Sequence, residues 1–151
     1  MVVKVKKTAV LLLMLVFAFS CGRIFLIEAE KARAKAGDFL YTLYKMQDVD
    51  AAYAMTDSNF ESNNGTGALE IAFDTAKVKY GTFIGFKADS YIVDSDSRTV
   101  ELFYRALSEK GVLHHRISVR LDENGKYKVT GMETSPMPFG PFRTERKFKS
   151  E

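Results

Sequence analysis

The chain has 151 residues, 46% of them apolar, which is enough for one folded domain with its own core and crowded for two. Its 22 basic and 19 acidic residues nearly balance, which argues against a dedicated nucleic-acid binder. Cys21 is the only cysteine, so the composition excludes an intramolecular disulfide and a multi-cysteine metal site.

The N-terminal segment, residues 1–27, has the pattern of an export or anchoring signal. Three lysines precede an apolar run, and residues 8–27 have about the 20 residues that a helix needs to cross a bilayer. Three interpretations stay open: an uncleaved membrane helix, a cleaved signal peptide, and a lipoprotein lipidated at Cys21. Ala18 and Phe19 match a lipobox poorly, and helix-forming residues follow the cysteine without a polar tether, so we favour the uncleaved helix.

This interpretation also predicts where the protein is located. We expect a single-pass protein of the cytoplasmic membrane, held in the bilayer through residues 8–27. Because the N-terminus resembles an export signal, we expect the domain on the extracytoplasmic side.

Three helices are predicted after this segment. Apolar residues recur at three- and four-residue steps over residues 29–46, which is typical of an amphipathic helix. Gly37 is tolerated there at about 1 kcal/mol relative to alanine and is predicted to mark a bend between stem and domain. A second short helix is predicted over residues 51–55 and a third over 66–80, with a polar loop at 61–65 between them.

The second half of the chain predicts strands. Hairpin-type turns separate four of them, at residues 82–93, 98–107, 112–121 and 126–134. Strict alternation in the third strand places His115 on the buried face and His114 on the other. We therefore predict an α+β domain over residues 28–134, with helices on one face of a four-stranded antiparallel sheet.

Three segments carry a resemblance to a known superfamily: FLYTL at 39–43, DVDAAYAMT at 48–56 and GKYKV at 125–129. They resemble the small membrane-anchored domains of the cystatin-like, NTF2-like superfamily, many of which have no known function. Tyr127 stands where a tryptophan is common in that pattern. The resemblance implies a curved sheet forming a cone with an internal pocket, in which an Asp or His moves a proton in the enzymes of the superfamily.

Three residues are candidates for such chemistry: His115, Tyr53 and Tyr104. A structural role is favoured for each, namely a partly buried histidine with one hydrogen bond and two core tyrosines with their hydroxyls at the edge. His114 and His115 point to opposite faces and therefore do not predict a metal site. We find no phosphate-binding loop or nucleophile elbow, and we expect no cofactor.

A basic stripe is predicted on the outer face of the sheet. A solvated face with Glu101 as the counter-charge is favoured over a site for an acidic partner. The stripe consists of Arg105, Arg116, Arg120 and Lys128.

The C-terminal tail, residues 135–151, combines three prolines with aromatic and basic residues. Disorder is the default expectation for such a tail. The alternative is a docking arm in which the aromatic rings anchor on a neighbouring protein and the basic residues meet it or anionic headgroups. Its binding residues would be Phe139, Phe142, Arg143, Arg146 and Lys147.

Two functional classes stay open. The favoured class is a non-catalytic, membrane-tethered interaction module that binds membrane proteins. An accessory subunit of a larger membrane protein complex is one such module. The alternative is a small-molecule binder or isomerase-like enzyme that uses the pocket, with His115 handling a proton. A lipoprotein holding the same domain outside the membrane is a further variant.

Overall fold

The structure, a computed structural model, describes residues 28–148. The helices are α1 (Ala29–Tyr44), α2 (Val49–Ala54), α3 (Phe60–Asn64) and α4 (Ala68–Tyr80). The strands are β1 (Phe83–Asp94), β2 (Thr99–Ser108), β3 (Gly111–Leu121), β4 (Tyr127–Ser135) and β5 (Arg146–Lys147). They form one antiparallel sheet in the order β4-β3-β2-β1-β5. The α+β prediction, with helices packed on an antiparallel sheet, is confirmed.

The predicted number of elements is wrong by one strand and one helix. The extra strand is β5, whose Lys147 and Arg146 pair with Ser90 and Tyr91 of β1. Two residues are too short to show an alternating pattern, so the pairing depends on where the tail lies. The extra helix is α3, which overlaps the predicted loop and is held by the buried ring of Phe60.

The predicted membrane segment and Cys21 lie outside the described residues. Within residues 28–148, no helix combines the length and apolar character needed to cross a bilayer. The first described residue is already fixed to the domain, because the Glu28 amide donates a hydrogen bond of 2.8 Å to the Tyr127 hydroxyl. Helix α1 therefore begins at the edge of the sheet formed by β4.

The core lies between α1 and the sheet. The predicted apolar face of α1 is buried from Ala32 to Leu43, whereas the prediction is wrong for Met46, which lies beyond the helix and is 60% exposed. Every second residue of β2 and β3 points towards this helix face. Removing these side chains from water stabilises the domain by about 25 cal/mol per Å² of apolar surface. The fully buried side chains include Ala36, Phe39, Leu40, Leu102 and Ile117.

The outer edge of β4 is covered by the α2–α3 region. The Asp57 amide donates to the Val129 carbonyl at 2.9 Å, and the Val129 amide donates to Met55 at 3.2 Å. Farther along, the Asn64 side-chain oxygen accepts from the Met132 amide at 3.2 Å. Backbone groups that an edge strand would expose at Val129 and Met132 are thus satisfied within the domain.

The described part of the tail lies against the sheet and does not follow the default expectation of disorder. The rings of Phe139 and Phe142 pack on Phe103, at centroid distances of 6.2 and 5.1 Å. Phe148 packs on Tyr91 at 4.6 Å. Phe103 belongs to the outer face, yet only 6% of it is exposed, because the tail buries its ring on the domain's own sheet.

Candidate functional site

The edge of β1 is open over half of its length. Strand β1 has twelve residues, and β5 pairs only with Ser90 and Tyr91. The Phe83 carbonyl accepts a hydrogen bond of 3.0 Å from Lys45 Nζ, which closes the other end. Among the described residues, 84–89 have β2 on one side and no strand on the other. We call residues 84–89 the open stretch.

A groove of about 1060 Å³ runs along the open stretch. Its walls are α1, between residues 33 and 45, and the tail, through Pro138, Phe139 and Phe148. We call this cavity the edge groove. Its volume is at the upper end of the range that proteins use for ligands, and it opens to solvent along the strand.

Exposed apolar side chains line the edge groove. Ile84 on β1 is 60% exposed and Tyr41 on α1 is 53% exposed. Exposed apolar residues beside a free strand edge promote association with another chain unless something covers them.

The open stretch also carries features that limit indiscriminate pairing. Irregularities in register occur between Phe83 and Gly85 and between Ala88 and Ser90, so a bulge lies at each end. Lys87 is exposed between them, and a lysine on an edge strand opposes unselective strand addition. The edge groove is therefore accessible but selective.

Charged residues form a cross-strand row beside the open stretch on the outer face. Lys87 is paired in register with Arg105, and Arg105 with His114. Arg105 makes two hydrogen bonds to Asp89, of 2.6 and 2.7 Å, and these raise the pKa of Arg105. Partial burial lowers the pKa of His114, and the charge of Arg105 acts in the same direction. Lys87 has no ion-pair partner within residues 28–148, so it is the available cation of this row.

The candidate proton-handling residue is sealed in the core. His115 is fully buried, and its ring lies 5.3 Å from that of Tyr44. Within the described residues, neither nitrogen of His115 nor the Tyr44 hydroxyl has a hydrogen-bond partner. The prediction of a partly buried histidine with one hydrogen bond is thus wrong, because the ring is fully buried in the core beside Tyr44. Burial lowers the pKa of His115 to about 3, so it is neutral at physiological pH.

The two candidate tyrosines have separate structural contacts. The Tyr53 hydroxyl donates a hydrogen bond of 2.9 Å to Glu70 on α4. The Tyr104 hydroxyl donates one of 2.6 Å to the Arg33 carbonyl, which joins β2 to α1. Burial raises the pKa of Tyr104, so it remains protonated. Tyr104 lies opposite His115 in the sheet, but these contacts do not assemble a proton-transfer constellation.

A second, smaller cavity of about 370 Å³ lies between α4 and the ends of β3 and β4. None of the three candidate catalytic residues lines it. Within residues 28–148 there is also no group of three metal-ligating side chains. The residues around the cavity include Phe60, Ala72, Tyr80, Leu113 and Met132.

The basic stripe is largely paired on the surface. Arg116 contacts Glu101 at 2.6 Å, as the interpretation of a solvated face predicts. Arg120 contacts Asp57 at 2.6 Å, which fastens the α2–α3 region to β3. Lys128 donates to the Ala54 carbonyl at 3.2 Å. The stripe therefore holds local structure together.

The predicted tail residues lie on or near the rim of the edge groove. Phe139 lines the groove, and Phe142 stacks on Phe103 beside it. Arg146 and Lys147 form β5, and Lys147 also lines the groove. Arg143 is exposed. Their role in binding a partner stays a prediction.

Three residues of the groove are not predicted by the sequence patterns: Tyr41, Ile84 and Lys87. A local signal for Ile84 exists, because two adjacent apolar residues followed by Gly85 break the alternation and indicate a bulge. Lys87 gives no such signal, since its importance depends on β1 being near the edge of the sheet.

Comparison with protein-family models, curated proteins and solved structures finds no match to this chain. The superfamily resemblance stays a prediction.

Proposed function

We propose that this chain is a non-catalytic, membrane-tethered binding module whose edge groove receives a segment of a partner protein. One observation carries the proposal. The open stretch lies in a large groove with exposed Ile84 and Tyr41, whereas the best proton-handling candidate, His115, is enclosed. A free strand edge offers backbone hydrogen-bonding groups to a protein segment, which a small molecule uses less fully.

The membrane tether explains how the groove would meet its partner. Helix α1 starts at Ala29, one residue after the predicted membrane segment at 8–27. A membrane helix there would hold the domain close to the bilayer, on the extracytoplasmic side, so a protein in the same membrane is the favoured partner. A lipidated Cys21 would present the same groove on a looser tether. The chain would thus be an accessory subunit of a membrane complex.

We also propose the cone of the cystatin-like, NTF2-like superfamily as the architecture. The helices on one face of an antiparallel sheet and the register irregularities of β1 support it, because bulges bend strands.

The size of the native complex tests the proposal. The full-length chain, gently solubilised from its own membranes, is expected to migrate in a complex larger than the lone protein. Replacing Tyr41 and Ile84 together by Asp is expected to release it, because two carboxylates would replace the apolar contacts of the groove. The matched control replaces Ile71 and Val78 together by Asp. Both are exposed apolar residues of α4, and this variant is expected to retain the complex.

Two results would count against a groove-bound partner. One is migration of the unaltered chain as a lone monomer. The other is equal loss of the complex in the groove variant and the α4 variant.

The alternative is a small-molecule binder or isomerase-like enzyme, which would use the cavity of about 370 Å³. Native mass spectrometry of the purified chain distinguishes the two classes. A retained small molecule that is lost when Ala72 is replaced by Phe, a change that fills this cavity, would support the alternative.

A further inference from the structure

We infer that the partner segment binds as an added β-strand along the open stretch and places a carboxylate beside Lys87. This inference rests on the proposed function and adds the binding mode and the chemistry of the partner.

The edge already accepts one extended segment. Strand β5 pairs with β1 in the antiparallel sense at Ser90 and Tyr91. An added strand would continue beside it along the open stretch, about 4.8 Å from β1. At the other end of the open stretch, the Phe83 carbonyl already accepts a hydrogen bond from Lys45 Nζ. The space between these limits holds about six extended residues, or roughly 20 Å.

The charges of the edge groove favour an acidic segment. Five cationic side chains and three carboxylates line the edge groove, so cations are in excess. Asp89 engages Arg105, which leaves Lys87 without an ion-pair partner among residues 28–148. The side chain of an added strand that lies directly opposite Lys87 would have its Cβ about 5 Å away. The cations are Arg33, Lys45, Lys87, Arg105 and Lys147, and the carboxylates are Asp38, Asp89 and Glu145.

The other face of the added strand would meet apolar surface. Side chains alternate across a strand, so the neighbours of the acidic residue would point towards α1. There they would contact exposed Tyr41 and half-buried Phe86. The partner segment is therefore an extended stretch in which carboxylates alternate with apolar or β-branched residues.

Binding of three synthetic peptides to the full-length chain in detergent tests this inference by fluorescence anisotropy. The first is a nine-residue peptide in which glutamate alternates with valine or threonine. The second has lysine in place of glutamate, and the third is the first with alternate backbone amides N-methylated. We expect the glutamate peptide to bind about fivefold more tightly than the lysine peptide, as one favourable cross-strand charge pair allows. We expect the N-methylated peptide to lose binding, because strand pairing needs its amides.

A charge reversal at one position tests the role of Lys87. The variant Lys87→Glu is expected to reverse the preference between the glutamate and lysine peptides. The control Lys126→Glu changes an exposed lysine in the turn before β4 and is expected to preserve it. Both positions are exposed, so both variants should unfold at the temperature of the unaltered chain.

The outcomes separate the inference from the proposed function. Three results would contradict the inference that the partner adds a strand with a carboxylate beside Lys87. They are equal binding of all three peptides, no binding of any peptide, and an unchanged peptide preference in Lys87→Glu. If the native complex still dissociates in the Tyr41 and Ile84 variant, the binding module stands without this mode. If the complex is also absent, both proposals fail.

Discussion

The His115 side chain places an ionisable ring, fully buried, in the core. Charging it there would remove the cation from water without a partner, because neither nitrogen has one within the described residues. Its neighbour Tyr44 is similarly buried, and burial raises the pKa of that hydroxyl. Both groups therefore stay neutral in the folded protein at physiological pH. Their role is to fill the aromatic cluster between α1 and the sheet.

Stability should consequently fall in mild acid. The folded pKa of His115 is about 3, against an unperturbed 6.5, so the unfolded chain binds more protons between these values. Above about pH 6.5, His115 protonation does not change the free energy of unfolding. As the pH falls from 6.5 towards 3, protonation of this histidine in the unfolded chain lowers that free energy progressively. At pH 5.0 the loss amounts to about 2 kcal/mol.

Urea unfolding at pH 7.5 and 5.0 measures this effect. The variant His115→Leu should lose about 2 kcal/mol less than the unaltered chain between the two conditions, whatever its absolute stability. An equal loss in both proteins would show that His115 is accessible to protons in the folded state.

At the scale of elements, α1 connects the core and the edge groove. It is one continuous helix through Gly37, where the sequence predicts a bend between stem and domain. A Cβ at Gly37 would lie 3.5 Å from the Tyr104 hydroxyl oxygen, which is an ordinary contact distance. The glycine is therefore not required by space at this point of the helix.

Replacing Gly37 by Ala is expected to stabilise the protein by about 1 kcal/mol, the helix-propensity difference between the two residues. The matched control is Gly81→Ala, which should destabilise, because Gly81 has a φ of +73° and its Cβ would lie 2.9 Å from a Glu109 oxygen. Thermal unfolding measures both changes. A loss of stability in Gly37→Ala would mean that the close approach of α1 to Tyr104 depends on the glycine.

Periodicity alone predicts the elements that bury a regular face. The apolar spacing of α1 and the alternation of β3 indicate which side of each is buried, and His115 and His114 lie on the predicted opposite faces. Periodicity does not predict short elements. Helix α3 and strand β5 form because distant segments contact them, and no local pattern records those contacts.

The candidate site is harder to predict than the fold, for the same reason. Lys87 gains its role from the position of β1 near a sheet edge, from the short reach of β5 and from the ion pair that occupies Arg105. Each of these depends on residues far away in the chain. The composition of the tail suits a docking arm or a disordered end, and neither interpretation predicts that the tail packs on its own sheet.

At the scale of the whole molecule, the two edges of the sheet differ. The α2–α3 region covers the edge of β4, whereas the tail covers only part of β1 before Phe148 turns to contact Tyr91. The guanidinium of Arg33 lies 5.0 Å from the Phe148 ring, so α1 holds the end of the tail in place. The domain thus presents one partly covered edge, beside α1.

Site-specific photocrosslinking in native membranes tests the central claim most directly. A photoreactive residue would replace Ile84 in the open stretch or, as the control, Val78, which is 80% exposed on α4. If a partner binds in the edge groove, we expect one discrete adduct with a membrane protein from position 84 and none from position 78. The same adduct from both positions, or none from position 84, would contradict it.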